Sequence, residues 1–241
     1  MKYIRKGQEP ERFTAWKARK NEDWQPNWDA LRSPEKPAVH QALLQEQGSI
    51  CCYCGIQISR ETSHIEHLKP RTTYPNLELK YSNLLASCPG EGEFSEGRSF
   101  KKLPLSQKHC GYKKEDWYDA NLMVSPLLKN CADFFRYTGA GEILPTDEPG
   151  MEKAAKETIE RLGLNNPKLQ AARKKQIQTL LPLVDNATNA EIQKLIQGYE
   201  QRDSQGNHTP FCFAIKLSEL SLIYSACKKI LIKPLWDIDR M

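Results

Sequence analysis

The sequence predicts an α+β, mostly helical protein: a small cysteine-stapled module of short strands and turns, preceded by an arm and followed by a helical region. Three observations carry that expectation. Five of the eight cysteines fall between positions 51 and 110, around a close pair of histidines. The chain ahead of them is rich in tryptophan and proline, and beyond residue 121 apolar residues recur at helical spacing. The corresponding segments are 1–47 for the arm and its helix, 48–120 for the module and 121–241 for the helical domain.

In the arm, Trp16, Trp24 and Trp28 stand among charges while Pro26, Pro34 and Pro37 interrupt the chain. Residues 1–36 therefore read as an extended or partly helical arm packed on something larger. Residues 37–48 carry proline where a first turn tolerates it and glycine where a helix ends, which predicts a short helix running into the cysteines. Residues 51–68 are short-strand and turn material. From Ser82 onward the sequence reads as a turn leading into a helix, and 89–104 is a polar loop rich in Gly, Ser and Glu. Helices are predicted at 152–162, 167–183, 189–201 and 211–232, a bundle that supports the module or docks a partner. No repeat, phosphate loop or low-complexity tract competes.

With 39% hydrophobic and 27% charged positions in 241 residues, the chain has the material for a core and is not a disordered tail. No window approaches the ~18 apolar residues of a membrane span, and the start lacks an apolar stretch of signal length, so a cytoplasmic protein without a membrane partner is expected. Charge gives little direction. The 35 basic and 30 acidic residues leave +5, spread as 9 and 7 over 1–47, 10 and 9 over 48–120, and 16 and 14 over 121–241. Without a basic stripe, any nucleic-acid binding has to use local geometry or a partner.

In a reducing compartment clustered cysteines point to metal before disulfides. Cys51 and Cys54 have the two-residue spacing at which a tight turn brings two thiolates to one ion, with Gly55 relieving the backbone; Cys88 and Cys110 are the nearest candidates to complete four sulfurs. Four thiolates leave no open position, so the expected ion is a structural Zn²⁺. Cys52 then faces away, His109 is the substitute fourth ligand, and Cys131, Cys212 and Cys227 read as buried apolar thiols. Between the two halves, strand alternation in His64-Ile65-Glu66-His67 puts His64 and Glu66 on one side and His67 on the other. Two imidazoles and a carboxylate bracketed by zinc thiolates suit phosphodiester hydrolysis.

These residues carry a resemblance. Glu66-His67 followed by Asn83-Leu84 within zinc-binding cysteines resembles HNH endonucleases and their ββα-metal module. More closely, Cys51-Cys52-Tyr53-Cys54, Ile65-Glu66-His67, Asn83-Leu84-Leu85, Cys88, Cys110-Gly111 with Lys113-Lys114, and Leu162-Gly163-Leu164-Asn165 are similar to the PtuB type of HNH protein found in Septu and retron antiphage systems. The resemblance implies a metal-dependent nuclease acting on nucleic acid, DNA in preference to RNA. It implies His67 as general base, Glu66 and Asn83 as oxygen ligands of a catalytic Mg²⁺ or Mn²⁺, and His64 as a further ligand or phosphate donor. Lys69 and Arg71, just past His67, are expected to touch phosphate.

The implied partners are a PtuA-type ATPase in a hetero-oligomer and, in retrons, a reverse transcriptase with its reverse-transcribed DNA. One departure stands out: Gly111 follows the last zinc cysteine where HNH proteins often place a ligating His or Asn, so His64, His109 or an unplaced residue has to compensate. Residues 89–109 read as an inserted loop whose Arg98, Lys101, Lys102 and Lys108 line a phosphate path or a solvated surface. The competing readings are an RNA-cutting effector with the same site and a non-catalytic zinc module that binds nucleic acid or protein.

Overall fold

The computed structural model describes residues 1–90, 107–184 and 187–214. In chain order the regular elements are α1 (Glu11–Lys17), α2 (Glu35–Gln47), β1 (His64–His67), β2 (Leu84–Ser87), α3 (Gly111–Lys114), β3 (Phe135–Tyr137), β4 (Ile143–Pro145), α4 (Glu152–Arg161), α5 (Pro167–Gln178), α6 (Leu181–Val184) and α7 (Asn189–Glu200). The result is mixed α and β with two separate two-stranded sheets, β1–β2 and β3–β4.

The helices form where apolar spacing and caps agree. Helix α2 closes at Gly48, α4 buries Ala154, Ala155, Thr158 and Ile159 along one stripe, and α7 opens on a reciprocal capping box between Thr188 and Glu191. The arm is partly helical, as expected, and its Met1, Ile4, Phe13, Trp16, Trp28 and Leu31 are buried in a core that also takes in the cysteine region and residues 211–214. A second, small cluster joins Leu180, Val184, Ile192 and Ile196.

Two expectations change. The segment after Ser82 is not a helix: a short 3-10 turn at Tyr81–Asn83 leads into strand β2. The run Leu84-Leu85-Ala86-Ser87 is buried on both sides, so it shows neither period, and only the antiparallel register His64↔Ser87 to His67↔Leu84 reveals it as a strand. The helix expected over 167–183 ends at Gln178 and restarts as α6, because Pro182 has no N–H to donate and is accommodated only in a first turn. The β3–β4 hairpin inside the helical segment had no signal, since three-residue strands are too short to alternate visibly. Of the helix expected over 211–232, the described part is a 3-10 turn at Cys212–Ala214, and the rest lies outside the described residues. Among the described residues no helix is long and apolar enough to cross a membrane.

The hairpin that carries the histidines is held on its outer edge by the Cys52 N–H, which bonds to the Ala86 carbonyl (3.1 Å), and by one side chain. Gln47, at the end of α2, donates to the carbonyls of Ile50 (2.9 Å) and Ala86 (2.8 Å) and accepts from the Ala86 N–H (2.7 Å). It is 3% exposed, so no water replaces it. Gln47→Ala strands two buried backbone groups, the Ile50 carbonyl and the Ala86 N–H, since the Ala86 carbonyl keeps the Cys52 N–H (3.1 Å), and is expected to cost about 2 kcal/mol in chemical denaturation, without touching the metal-binding side chains.

Candidate active site and metal centre

Cys51, Cys54, Cys88 and Cys110 converge, all four sulfurs lying within 4.8 Å of one another and all four residues buried. The Cys54–Cys88 separation of 3.7 Å matches the edge of about 3.8 Å expected for a tetrahedron with metal–sulfur bonds of about 2.3 Å. The set can therefore hold a zinc ion with no open position. Burial pushes the Cys110 thiol well up. Burial acts the same way on Cys51, but hydrogen bonds from Cys110, Cys52 and Cys54 outweigh it and hold that sulfur low.

Three chain segments meet there. The Cys51–Cys54 turn needs Gly55 at φ +76°, where a side chain would also collide with the Phe213 ring. Cys88 lies just past the end of β2, and Cys110 precedes α3, its N–H bonded to the Leu162 carbonyl (2.7 Å). His109 stays outside the four: its Nδ1 lies 3.2 Å from the Cys110 sulfur and 3.7 Å from that of Cys88, an outer partner rather than a replacement. Cys52 is likewise outside the set, and Cys131 and Cys212 are buried thiols. Cys227 lies outside the described residues. The Leu162–Asn165 stretch explains itself here, because Asn165 also clamps the Ile143 backbone through two hydrogen bonds (2.9 and 2.8 Å).

Strand β1 presents its side chains as alternation requires. His64 and Glu66 share a face, Nε2 to Oε2 being 3.4 Å. The other carboxylate oxygen accepts from the Tyr53 hydroxyl (3.2 Å) and from the Lys114 ammonium (3.0 Å). Burial alone would raise the Glu66 pKa, but the His64 hydrogen bond and the Lys114 charge hold it below the usual carboxylate range. Gly111 faces the same pair: a Cβ there would lie 2.6 Å from Glu66 Oε2 and 2.9 Å from His64 Nε2. The position that lacks a ligand atom is bordered by a carboxylate oxygen and an imidazole nitrogen, packed too closely to admit even a methyl group.

His67 points the other way. Its Nε2 lies 3.0 Å from the Glu78 carbonyl, and its ring meets Trp28 of the arm edge-on, centroids 4.3 Å apart. A carbonyl only accepts, so Nε2 carries the proton and Nδ1 the lone pair. Burial lowers the pKa to about 4, with the nearby Arg71 charge adding to it against the Glu78 bond, so the ring is neutral at pH 7. Glu66, His67, Arg71, Glu78, Lys114 and Asp116 line one open cleft of about 420 Å³.

The remaining expected residues divide. Arg71 lines the cleft and pairs with Asp29 at 3.2 Å. Lys69 turns its ammonium toward the rings of Tyr74 (5.5 Å) and Tyr118 (5.3 Å). Asn83, expected to offer oxygen to an ion, is engaged elsewhere: Oδ1 accepts from the Lys69 N–H (2.8 Å), and Nδ2 donates to the carbonyls of Lys69 (3.0 Å) and Leu77 (3.2 Å). It braces the loop after His67, because three backbone groups claim its amide. Arg98, Lys101 and Lys102 lie outside the described residues. Sequence reasoning named Trp28 and Lys114 without giving either a place in the site, and it missed the Glu78 carbonyl. Trp28 and the Glu78 carbonyl carry no local signal; Lys114 sits three residues after Gly111, on the same helical face, a spacing that could have flagged it.

Hairpin, short helix, sulfur cluster and an imidazole beside a carboxylate together define a cysteine-stapled module carrying acid–base and metal-binding groups. No protein-family profile matches the chain. It is similar to the protein assigned as the HNH endonuclease of retron Vc95 from Vibrio cholerae serotype O1 biovar El Tor, 33% identical over 151 residues, covering 61% of this chain and 66% of the relative. A second relative, assigned as the HNH endonuclease of retron Ec83 from Escherichia coli, is 29% identical over 182 residues, covering 61% of this chain and 69% of the relative. The Septu protein PtuB of Bacillus thuringiensis is 40% identical over 55 residues, 22% of this chain and 21% of PtuB. The chain spans about two thirds of the length of the two retron relatives. This homology supports an HNH endonuclease of the retron and Septu defence type.

Because formation of a four-thiolate site and folding are one equilibrium, Cys54→Ser is expected to lower soluble yield and to reduce bound zinc from about one ion per chain to well below one, measured by elemental analysis of protein purified without chelators.

Proposed function

We propose that the chain is a metal-dependent HNH endonuclease that hydrolyses phosphodiester bonds, DNA in preference to RNA, as the effector subunit of an antiphage defence complex. The observation that carries the reading is the His67 imidazole: its tautomer is fixed by the Glu78 carbonyl at 3.0 Å, and it lines an open cleft next to Glu66. In this reading β1, β2 and α3 are the ββα-metal core, and the four cysteines hold a structural zinc.

His67 Nδ1 takes a proton from the water that attacks phosphorus; a neutral ring at pH 7 is suited to that transfer. Trp28 and the Glu78 carbonyl keep the ring from rotating while it does so. Glu66 Oε2 and His64 Nε2 would hold the Mg²⁺ or Mn²⁺, which supplies stabilisation of charge on the phosphate and the leaving oxygen. His64 thereby compensates for the missing ligand at Gly111. Arg71, in the same cleft, contacts substrate phosphate, and Asn83 fixes the loop that carries Lys69 and Arg71. The similarity to retron and Septu proteins supports partners of the same systems: a PtuA-type ATPase, and in a retron the reverse transcriptase with its DNA.

His67→Ala is expected to keep its zinc and fold while losing about 10³-fold in Mg²⁺- or Mn²⁺-dependent cleavage, assayed with DNA and RNA side by side on the chain and on its complex. Retained cleavage sinks the assignment of the base, and cleavage of RNA alone reverses the substrate preference. Gly111→Ala places a methyl group against Glu66 Oε2 and His64 Nε2 and is expected to abolish the metal-dependent activity without loss of zinc.

A further inference from the structure

Lys114 has no role in the reading above, yet it is the most constrained cation around the site. Its side chain borders the cleft but is 1% exposed, with the ammonium turned to protein acceptors. Its ammonium has three acceptors for its three N–H groups: Glu66 Oε1 at 3.0 Å, the His67 carbonyl at 3.1 Å and the Glu115 carbonyl at 3.3 Å. Glu66 Oε1 also accepts from the Tyr53 hydroxyl at 3.2 Å, so both of its lone pairs are taken. Oε2, beside the bare Gly111, carries only the long 3.4 Å contact with His64 Nε2.

We propose that Lys114 is a positioning residue and a built-in counter-cation: it restricts Glu66 to a single ligand oxygen and cancels its charge, so that a divalent ion is held weakly until a phosphodiester joins it. The inference rests on the assignment of Glu66 and His64 to the catalytic ion. A carboxylate already paired with an ammonium offers no net negative charge to a divalent ion, whereas a phosphate arriving in the cleft supplies it. Ion and substrate therefore favour each other's binding, and by reciprocity each tightens the other equally. An ion kept loose in the free protein leaves the nuclease idle without nucleic acid, and α3 carries both halves of the device, Gly111 bare against the pair and Lys114 setting the charge.

The test is Mn²⁺ binding to the full-length, zinc-loaded chain, followed by electron paramagnetic resonance of free Mn²⁺ at neutral pH, with and without a short DNA duplex. Lys114→Met is expected to bind Mn²⁺ at least about tenfold more tightly than the wild type in the absence of DNA, with a smaller DNA-induced gain, and Lys114→Arg to stay within about twofold of the wild type. Lys114→Gln, which keeps two donors for the backbone carbonyls, carries the test if the Met variant does not fold. Unchanged or weaker Mn²⁺ binding in the folded neutral variants overturns the proposal. Glu66→Gln separates the two levels: if it binds Mn²⁺ as the wild type does, the site assignment itself fails, whereas loss of binding leaves that assignment standing whatever the Lys114 variants do.

Discussion

Four sulfurs meeting in one buried spot is the constraint on which the rest depends. The turn at Cys51, the end of β2 and the start of α3 are distant in sequence, and the four sulfurs join all three at one point. Their convergence sets where α3 begins, and with it the placement of Gly111 and Lys114 against Glu66. Cys110 itself adopts φ +56°, an unusual conformation for a residue with a side chain, and the cluster is what holds it there. Without a cation the four thiols could not all ionise in so dry a place, so the metal and the geometry of the neighbouring carboxylate are linked.

The cysteine pairing was legible in the sequence because spacing speaks directly about ligands: Cys51 and Cys54 two apart, then the next two cysteines in order. The shared face of His64 and Glu66 was legible too, since strand alternation is a geometric rule. What failed to show were features made by tertiary packing. Leu84 to Ser87 is apolar throughout and carries no period, so its strand character comes from its partners. Asn83 has the chemistry of a ligand, and only the surrounding backbone reveals that its amide is already engaged. Trp28 reaches His67 from 39 positions away, a contact that no local pattern announces.

The arrangement divides labour between the two faces of one four-residue strand. One face meets α3 and gathers the charged groups, Glu66 with His64 and Lys114; the other gives His67 to the arm and the loop after β1. A single backbone thus fixes the distance between the His67 imidazole and the Glu66–His64 pair, and Gln47 braces that backbone from behind. The arm is not an appendage in this scheme, because its indole forms one wall of the imidazole's seat.

The far end of the described chain closes over the beginning of the module. Arg202 donates to the carbonyls of Gln45 and Glu46 at the end of α2, 157 and 156 residues away; the Phe211 N–H bonds to the Gly55 carbonyl, and Phe213 covers that glycine. Chains are made from the N-terminus, so the cysteine turn leaves the ribosome long before its lid exists. The turn that carries the first two cysteines is therefore made well before the segment that packs on it, an order written into the topology.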